Sequence, residues 1–114
     1  MKIESYTYGQ MTIDGQLYKK DLIIFPDRII PDWWRKEGHL LSMEDLGEVI
    51  EAKPEVLIVG TGDSGFMHVP LSTELDLKDK NVEVIVKKTD KAVQLFNEQI
   101  LMGKNVAGAF HLTC

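Results

Sequence analysis

Val56-Leu57-Ile58-Val59-Gly60-Thr61-Gly62-Asp63-Ser64-Gly65 begins with four consecutive apolar residues and passes directly into a glycine-rich turn. A strand exposed to water on one face alternates apolar and polar residues; an unbroken apolar run is covered on both. This segment therefore predicts a strand in the middle of a sheet with structure packed above and below it. Downstream, Val82, Val84 and Val86 predict a second strand. Thr89 or Asp90 then caps a helix whose inward stripe is Ala92 or Val93, Phe96 and Ile100, with Leu95 and Leu101 on its shoulders and Gly103 at its end. Val106-Ala107-Gly108-Ala109-Phe110 predicts a last strand, built from small residues that let a helix approach closely. Upstream, Ser42 with Asp45 resembles a capping box, and Met43, Leu46, Val49 and Ile50 share one helical stripe that closes before Pro54, predicting a helix from Met43 to Ala52. Between the two middle strands, Leu71 to Lys80 reads as a poor helix interrupted by Thr73, Asp76 and Asp79.

The first third of the chain has a different character. Tyr6, Tyr8, Met11, Ile13, Leu17 and Tyr18 alternate with polar neighbours, and Gly9 and Asp14-Gly15 punctuate them. Asp-Gly between two alternating runs suits a two-residue hairpin, whose central positions both need positive φ. Leu22-Ile23-Ile24-Phe25 makes a short apolar strand stopped by Pro26, resumed by Ile29-Ile30 before Pro31. The fold class that follows is α/β: a three-layer domain with a central mixed β-sheet, helices packed on it, and an N-terminal β-hairpin region that extends the sheet or covers one end. No repeat or linker divides the chain, so residues 1–114 form a single domain.

Composition narrows the function. The 114 residues are 44% hydrophobic, with 13 Lys plus Arg against 18 Asp plus Glu and one Cys, Cys114. A net charge of −5 excludes the cationic surfaces that hold nucleic acid or anionic membranes. The single Cys excludes a disulfide scaffold, and no apolar run is long enough for a membrane span. With an N-terminus that lacks the apolar core of a signal peptide, the expected location is the cytoplasm.

Gly60-Thr61-Gly62-Asp63-Ser64-Gly65 has the G-x-G-x-x-G spacing of a dinucleotide-binding turn. A nucleotide site also needs a helix directly after the glycines and an acidic residue at the tip of the next strand. Here Pro70 follows the turn closely, and that next strand ends in Lys87-Lys88. A tight glycine turn at the carboxyl edge of a sheet is the simpler account. Between the two lies a small-molecule pocket bordered by Thr61, Gly62, Asp63 and Ser64, with Asn97 or His111. His39, His68 and His111 form no ligand spacing, so neither a metal nor a cofactor is expected. No carboxylate pair and no G-x-S-x-G turn provides a catalytic set, and strand alternation separates His111 from Cys114. Trp33-Trp34 lies among Asp32 and Arg35-Lys36-Glu37. One Trp in the core with its neighbour over a loop is the ordinary outcome; a Trp beside an Arg is also the composition of interface anchors.

Trp34 with Glu37-Gly38-His39, Glu44-Asp45-Leu46, Pro54 to Gly62, then Thr89, Ala92 and Asn97, and finally His111-Leu112-Thr113-Cys114, resemble a family of small domains of unknown function. That family includes the mitochondrial complex I assembly factor 3 and an adipogenesis-associated vertebrate homologue. The resemblance spans almost the whole chain. It implies a three-layer α/β domain, no established reaction, and a binding or scaffolding role. The expected function is thus a non-enzymatic interaction or assembly module that contacts a protein partner or its own copy through Trp33 and Trp34. The alternative is a ligand-binding or enzymatic pocket at the glycine loop.

Overall fold

A computed structural model describes all 114 residues. Eight strands and three helices follow in the order β1 (Ile3–Thr7), β2 (Gln10–Ile13), β3 (Gln16–Tyr18), β4 (Leu22–Ile24), β5 (Ile29–Ile30), a 3-10 turn (Met43–Leu46) leading into α1 (Gly47–Ala52), β6 (Val56–Thr61), α2 (Leu71–Asp79), β7 (Glu83–Lys87), α3 (Thr89–Leu101) and β8 (Val106–His111). The central sheet has five strands in the order β5-β4-β8-β6-β7. β6 runs parallel to both β7 and β8, while β4 is antiparallel to β8 and to β5, so the sheet is mixed.

The predicted alternation sorts into two cores. Leu57 and Val59 of β6, Ala107 and Ala109 of β8 and Ile23 of β4 face Leu46, Val49 and Leu77 from the α1 and α2 side. Val56, Ile58, Phe110, Leu22 and Ile24 face Ala92 and Phe96 of α3 together with Ile3, Met11 and Ile13. Every residue of β6 and β8 is buried. Each fully covered Val, Leu or Ile contributes about 1.5–3 kcal/mol relative to exposure, which is why these two strands form the middle of the molecule. Gly108 faces α3, and a Cβ there would meet Phe110 and, at 3.0 Å, Phe96. Its bare backbone makes room for the edge-to-face pair of those two rings, 5.8 Å apart.

The N-terminal region divides between two sheets. β4 and β5 extend the central sheet, whereas β1, β2 and β3 form an antiparallel sheet of their own over the α3 face. The Asp14-Gly15 turn joins Ile13 to Gln16 with φ of 48° and 83°, the left-handed pair its sequence predicts.

Three expectations need correction. Leu71–Asp79 is a helix, α2. Its inward positions are Thr73 and Leu77, four residues apart, and Thr73 belongs there because its hydroxyl donates to the Leu41 carbonyl at 3.1 Å. Leu71 and Leu75 face outward, which spoils the apolar stripe on which a sequence reading depends. Second, the Met43 to Ala52 helix is a 3-10 turn followed by α1, anchored where the Asp45 carboxylate accepts from both the N–H and the hydroxyl of Ser42. Third, Lys88 is the N-cap of α3, and Thr89 lies inside the first turn with its hydroxyl engaged elsewhere.

Candidate functional site

The glycine loop is filled by the chain itself. Gly62 has φ +107°, and a Cβ on it would lie 2.8 Å from the His111 ring and the Cys114 carbonyl oxygen, nearer still to the Cys114 carbonyl carbon. Four of the N–H groups at this turn are taken. Gly62 donates to Thr89 Oγ1 at 2.8 Å, Asp63 to the Thr113 carbonyl at 2.6 Å, Gly65 back to Gly62, and Phe66 to the Cys114 carbonyl at 2.9 Å. Thr89 Oγ1 in turn donates to the His111 carbonyl at 2.6 Å, so one buried hydroxyl links the loop, α3 and β8. Thr61 donates its hydroxyl to the Lys87 carbonyl. Gly60 has no room for a Cβ, which would meet Thr89 and Phe110 at 2.8 Å. Thr61, Gly62 and Asp63 thus form a seam that receives residues 111–114, while Ser64 is exposed beside it.

Asn97 lies apart from this seam in its bonding. Its amide nitrogen donates to the Ile3 carbonyl at 2.8 Å and its amide oxygen accepts the Ile3 N–H at 3.0 Å, so both polar atoms clamp β1 to α3. Five open concavities lie elsewhere on the surface, and residues 60–65, Asn97 and His111 line none of these five.

His111 belongs to a second cluster, with Asp21 and Arg35. Asp21 Oδ2 lies 2.7 Å from His111 Nδ1 and 2.8 Å from Arg35 Nη2, while Asp21 Oδ1 accepts the Leu112 N–H at 2.8 Å. Arg35 also donates to the Gly38 carbonyl from Nε and Nη2, and its guanidinium stacks 4.7 Å over the Trp33 ring. Burial pushes the Asp21 carboxyl up, but the hydrogen bonds from His111, Leu112 and Arg35 outweigh it and hold the group below the usual carboxylate range. A carboxylate on Nδ1 assigns the proton to that nitrogen, which leaves Nε2 free. Nε2 is buried and has no hydrogen-bond partner. The cluster ties the Trp33-Trp34 loop to the end of β8. Tyr6 closes the other side of this segment by donating to the Leu112 carbonyl at 2.9 Å; burial, then Asp63, Asp90 and Asp21, push its phenol up to about 12.

The tryptophan pair splits. Asp32 takes a left-handed φ of 54°, which Asp tolerates, and the two rings that follow it differ sharply in burial. Trp33 is buried, its N–H donated to the Asp45 carbonyl at 3.1 Å. Trp34 is 77% exposed. It stands on an open groove of about 770 Å³ lined by Asp32, Glu44, Asp45, Glu48 and Glu51 with Lys36 as the only cation, a balance of −4 out of the chain's −5. The net charge of the molecule is thus concentrated beside its most exposed aromatic ring.

Neither Asp21 nor the role of Arg35 is legible in the sequence. They lie 90 and 76 residues from His111, no local spacing connects them, and Arg35 reads only as a neighbour of the tryptophans.

A five-stranded mixed sheet between two layers, with residues 111–114 seated against its glycine loop, defines a small three-layer α/β domain. The chain belongs to the family described as protein of unknown function (DUF498/DUF598), which residues 3–111 match. It is similar over its full length to the conserved hypothetical protein PH1505 of Pyrococcus horikoshii, with 30% identity, a TM-score of 0.82 and complete coverage of both chains. A protein of Bartonella henselae described as an outer membrane protein shares the fold at 23% identity and TM-score 0.82, covering 98% of this chain and 94% of that one. So does a Bordetella pertussis protein described as a Mth938-like domain, at 17% identity and TM-score 0.77, covering 97% and 85%. No helix here is long and apolar enough to cross a membrane.

Proposed function

We infer that this chain is a non-enzymatic interaction module that docks a protein partner through Trp34 and the acidic groove beside it. The observation that carries this reading is the 77% exposure of Trp34 next to a buried, hydrogen-bonded Trp33. An aromatic ring held out on a fixed backbone loses little conformational freedom on binding, and Trp is the residue most enriched among interface hot spots. The carboxylates around it select a partner segment bearing Lys or Arg, one of which can stack on the indole. Resemblance to an assembly factor supports the same class. The small-molecule reading at the glycine loop draws less support, because the N–H groups of Gly62, Asp63, Gly65 and Phe66 are already bonded within the chain. In the reducing cytoplasm, the location this function presupposes, Cys114 stays a thiol; cell fractionation checks that placement.

The test compares wild type with Trp34→Ala, each recovered gently from the native host and analysed by native mass spectrometry. Truncating so exposed a side chain leaves the melting temperature nearly unchanged. The variant is expected to lose the co-purifying polypeptide and wild type to keep it, with an association that weakens as salt rises. A Trp34→Ala protein that retains every association of wild type overturns the inference, as does a wild type that binds no polypeptide at all.

A further inference from the structure

Of the two margins of the central sheet, β7 is the long one, and of the margins of the smaller sheet only β1 matches its length. β5 has two residues and β3 three, and Asn97 occupies both main-chain groups of Ile3 at the start of β1. β7 runs for five residues, Glu83-Val84-Ile85-Val86-Lys87, with β6 on one side and no strand on the other. Glu83 donates its N–H inward, to the Glu55 carbonyl. In a parallel pair the inward residues alternate, so the N–H and C=O groups of Val84 and Val86 face outward, a template for another strand.

The sequence of this edge is complementary to itself. With two copies antiparallel about a two-fold axis at Ile85, Val84 of one copy faces Val86 of the other, and each outward N–H meets a C=O across the axis. In the same register Glu83 faces Lys87 of the second copy, and Lys87 faces its Glu83. Both side chains are exposed and neither forms an ion pair within the chain. Cross-strand opposite charges stabilise such a register, and like charges there oppose it.

A second feature stands beside the edge. α2 keeps Leu71 and Leu75 outward, 69% and 50% exposed, and with Val84 they line a groove of about 580 Å³. α2 packs beside β7, so the two-fold that joins the strands brings the same leucine pair of a second copy to that side of the joined sheet. A stable dimer covers roughly 800 Å² per partner, about an eighth of the 6188 Å² this chain exposes.

We propose that the chain forms a two-fold homodimer through antiparallel pairing of β7 with β7 of a second copy, fusing the central sheets into one and covering Leu71 and Leu75. The interface lies at the edge of the sheet opposite β5 and does not rest on the role of Trp34. Isologous contact of this kind closes on itself, and the joined sheet ends on each side in the two-residue β5.

Sedimentation velocity across a concentration series tests it. Wild type is expected to sediment as a dimer, with a melting temperature that rises with protein concentration. Lys87→Glu sets Glu83 against a like charge on both sides of the axis and should weaken the dimer roughly tenfold. Combining it with Glu83→Lys reverses the charges, restores complementarity and should bring the affinity back. Val84→Pro deletes one outward N–H without touching the inward ladder, and should dissociate the dimer while circular dichroism stays that of wild type. Trp34→Ala should dimerise like wild type, which separates failure here from failure of the docking surface. A wild type that stays monomeric throughout, or dimers that persist equally in Lys87→Glu and Val84→Pro, would overturn this assignment.

Discussion

Gly62→Ala places a methyl group where the structure already holds the Cys114 carbonyl and the His111 ring. Two costs add. The backbone has φ +107°, and an L-residue forced into such a conformation costs about 1–3 kcal/mol. The Cβ would also lie 2.8 Å from both the His111 ring and the Cys114 oxygen, well inside contact distance, and pushing packed groups aside costs about 1–3 kcal/mol more. The sum is about 2–6 kcal/mol, against the 5–15 kcal/mol that holds a typical domain folded. At roughly 4–8 °C per kcal/mol, the melting temperature should fall by about 8–48 °C. Two other glycines separate the terms. Gly103 has φ +77° with nothing within 4 Å of its Cβ position, so Gly103→Ala isolates the backbone cost at about 1–2 kcal/mol. Gly47 opens α1 at φ −52° in open space, and Gly47→Ala should stabilise the protein by about 0.5–1 kcal/mol. Urea unfolding of the three variants, read as midpoint shifts at constant slope, gives the comparison directly. If Gly62→Ala costs no more than Gly103→Ala, residues 111–114 are not seated against the loop and the account of the seam is wrong.

Thr89→Val keeps the shape of the side chain but strands the Gly62 N–H and the His111 carbonyl in a buried place, for an expected loss of about 2–4 kcal/mol in urea; Thr89→Ser should recover most of it, and equal losses would refute a hydrogen-bonding role. Asp21 is held below its usual pKa of 3.8, so the unfolded chain takes up its proton first as pH falls: the stability it confers is complete above that value and is lost progressively below it. The stability gap between wild type and Asp21→Asn should therefore be level near neutrality and shrink below about pH 4; a gap that stays level into strong acid would mean that the carboxylate is not engaged.

Where periodicity and burial coincide, sequence and structure agree. β6 and β8 read as buried strands because nearly every residue in them is apolar or small, and the Asp14-Gly15 hairpin reads correctly because both turn positions require the same rare conformation. α2 escapes a sequence reading for an equally physical reason: its inward face uses a threonine satisfied by a carbonyl 32 residues away, and its leucines at 71 and 75 point to solvent. The tryptophan pair is legible as a pair, but which ring is buried and which exposed is not. Of the pocket residues expected at the glycine loop, Thr61, Gly62, Asp63 and His111 do converge. They converge on the end of the chain itself, a long-range fit that a local motif cannot reveal. Asp21 and Arg35 carry no signal, since their partnership with His111 exists only once the sheet has formed.

The position of β8 also governs when the protein can fold as it leaves the ribosome. β4 and β6 do not touch as neighbours in the sheet; each pairs with β8, which is made after both. Leu22 waits for Phe110, and Val56 for Val106. Until synthesis has passed His111, the nascent chain can form the β1-β2-β3 meander and the β6-α2-β7-α3 unit, which meet where Asn97 holds Ile3, but no strand joins β4 to β6, and these strands rich in Ile, Leu and Val stay unpaired on the side that β8 fills. Such a long-range closing step is slow relative to local pairing and leaves apolar edges open meanwhile. Ribosome-bound chains truncated before Val106 should accordingly be bound by chaperones, and release should coincide with the emergence of a single six-residue strand.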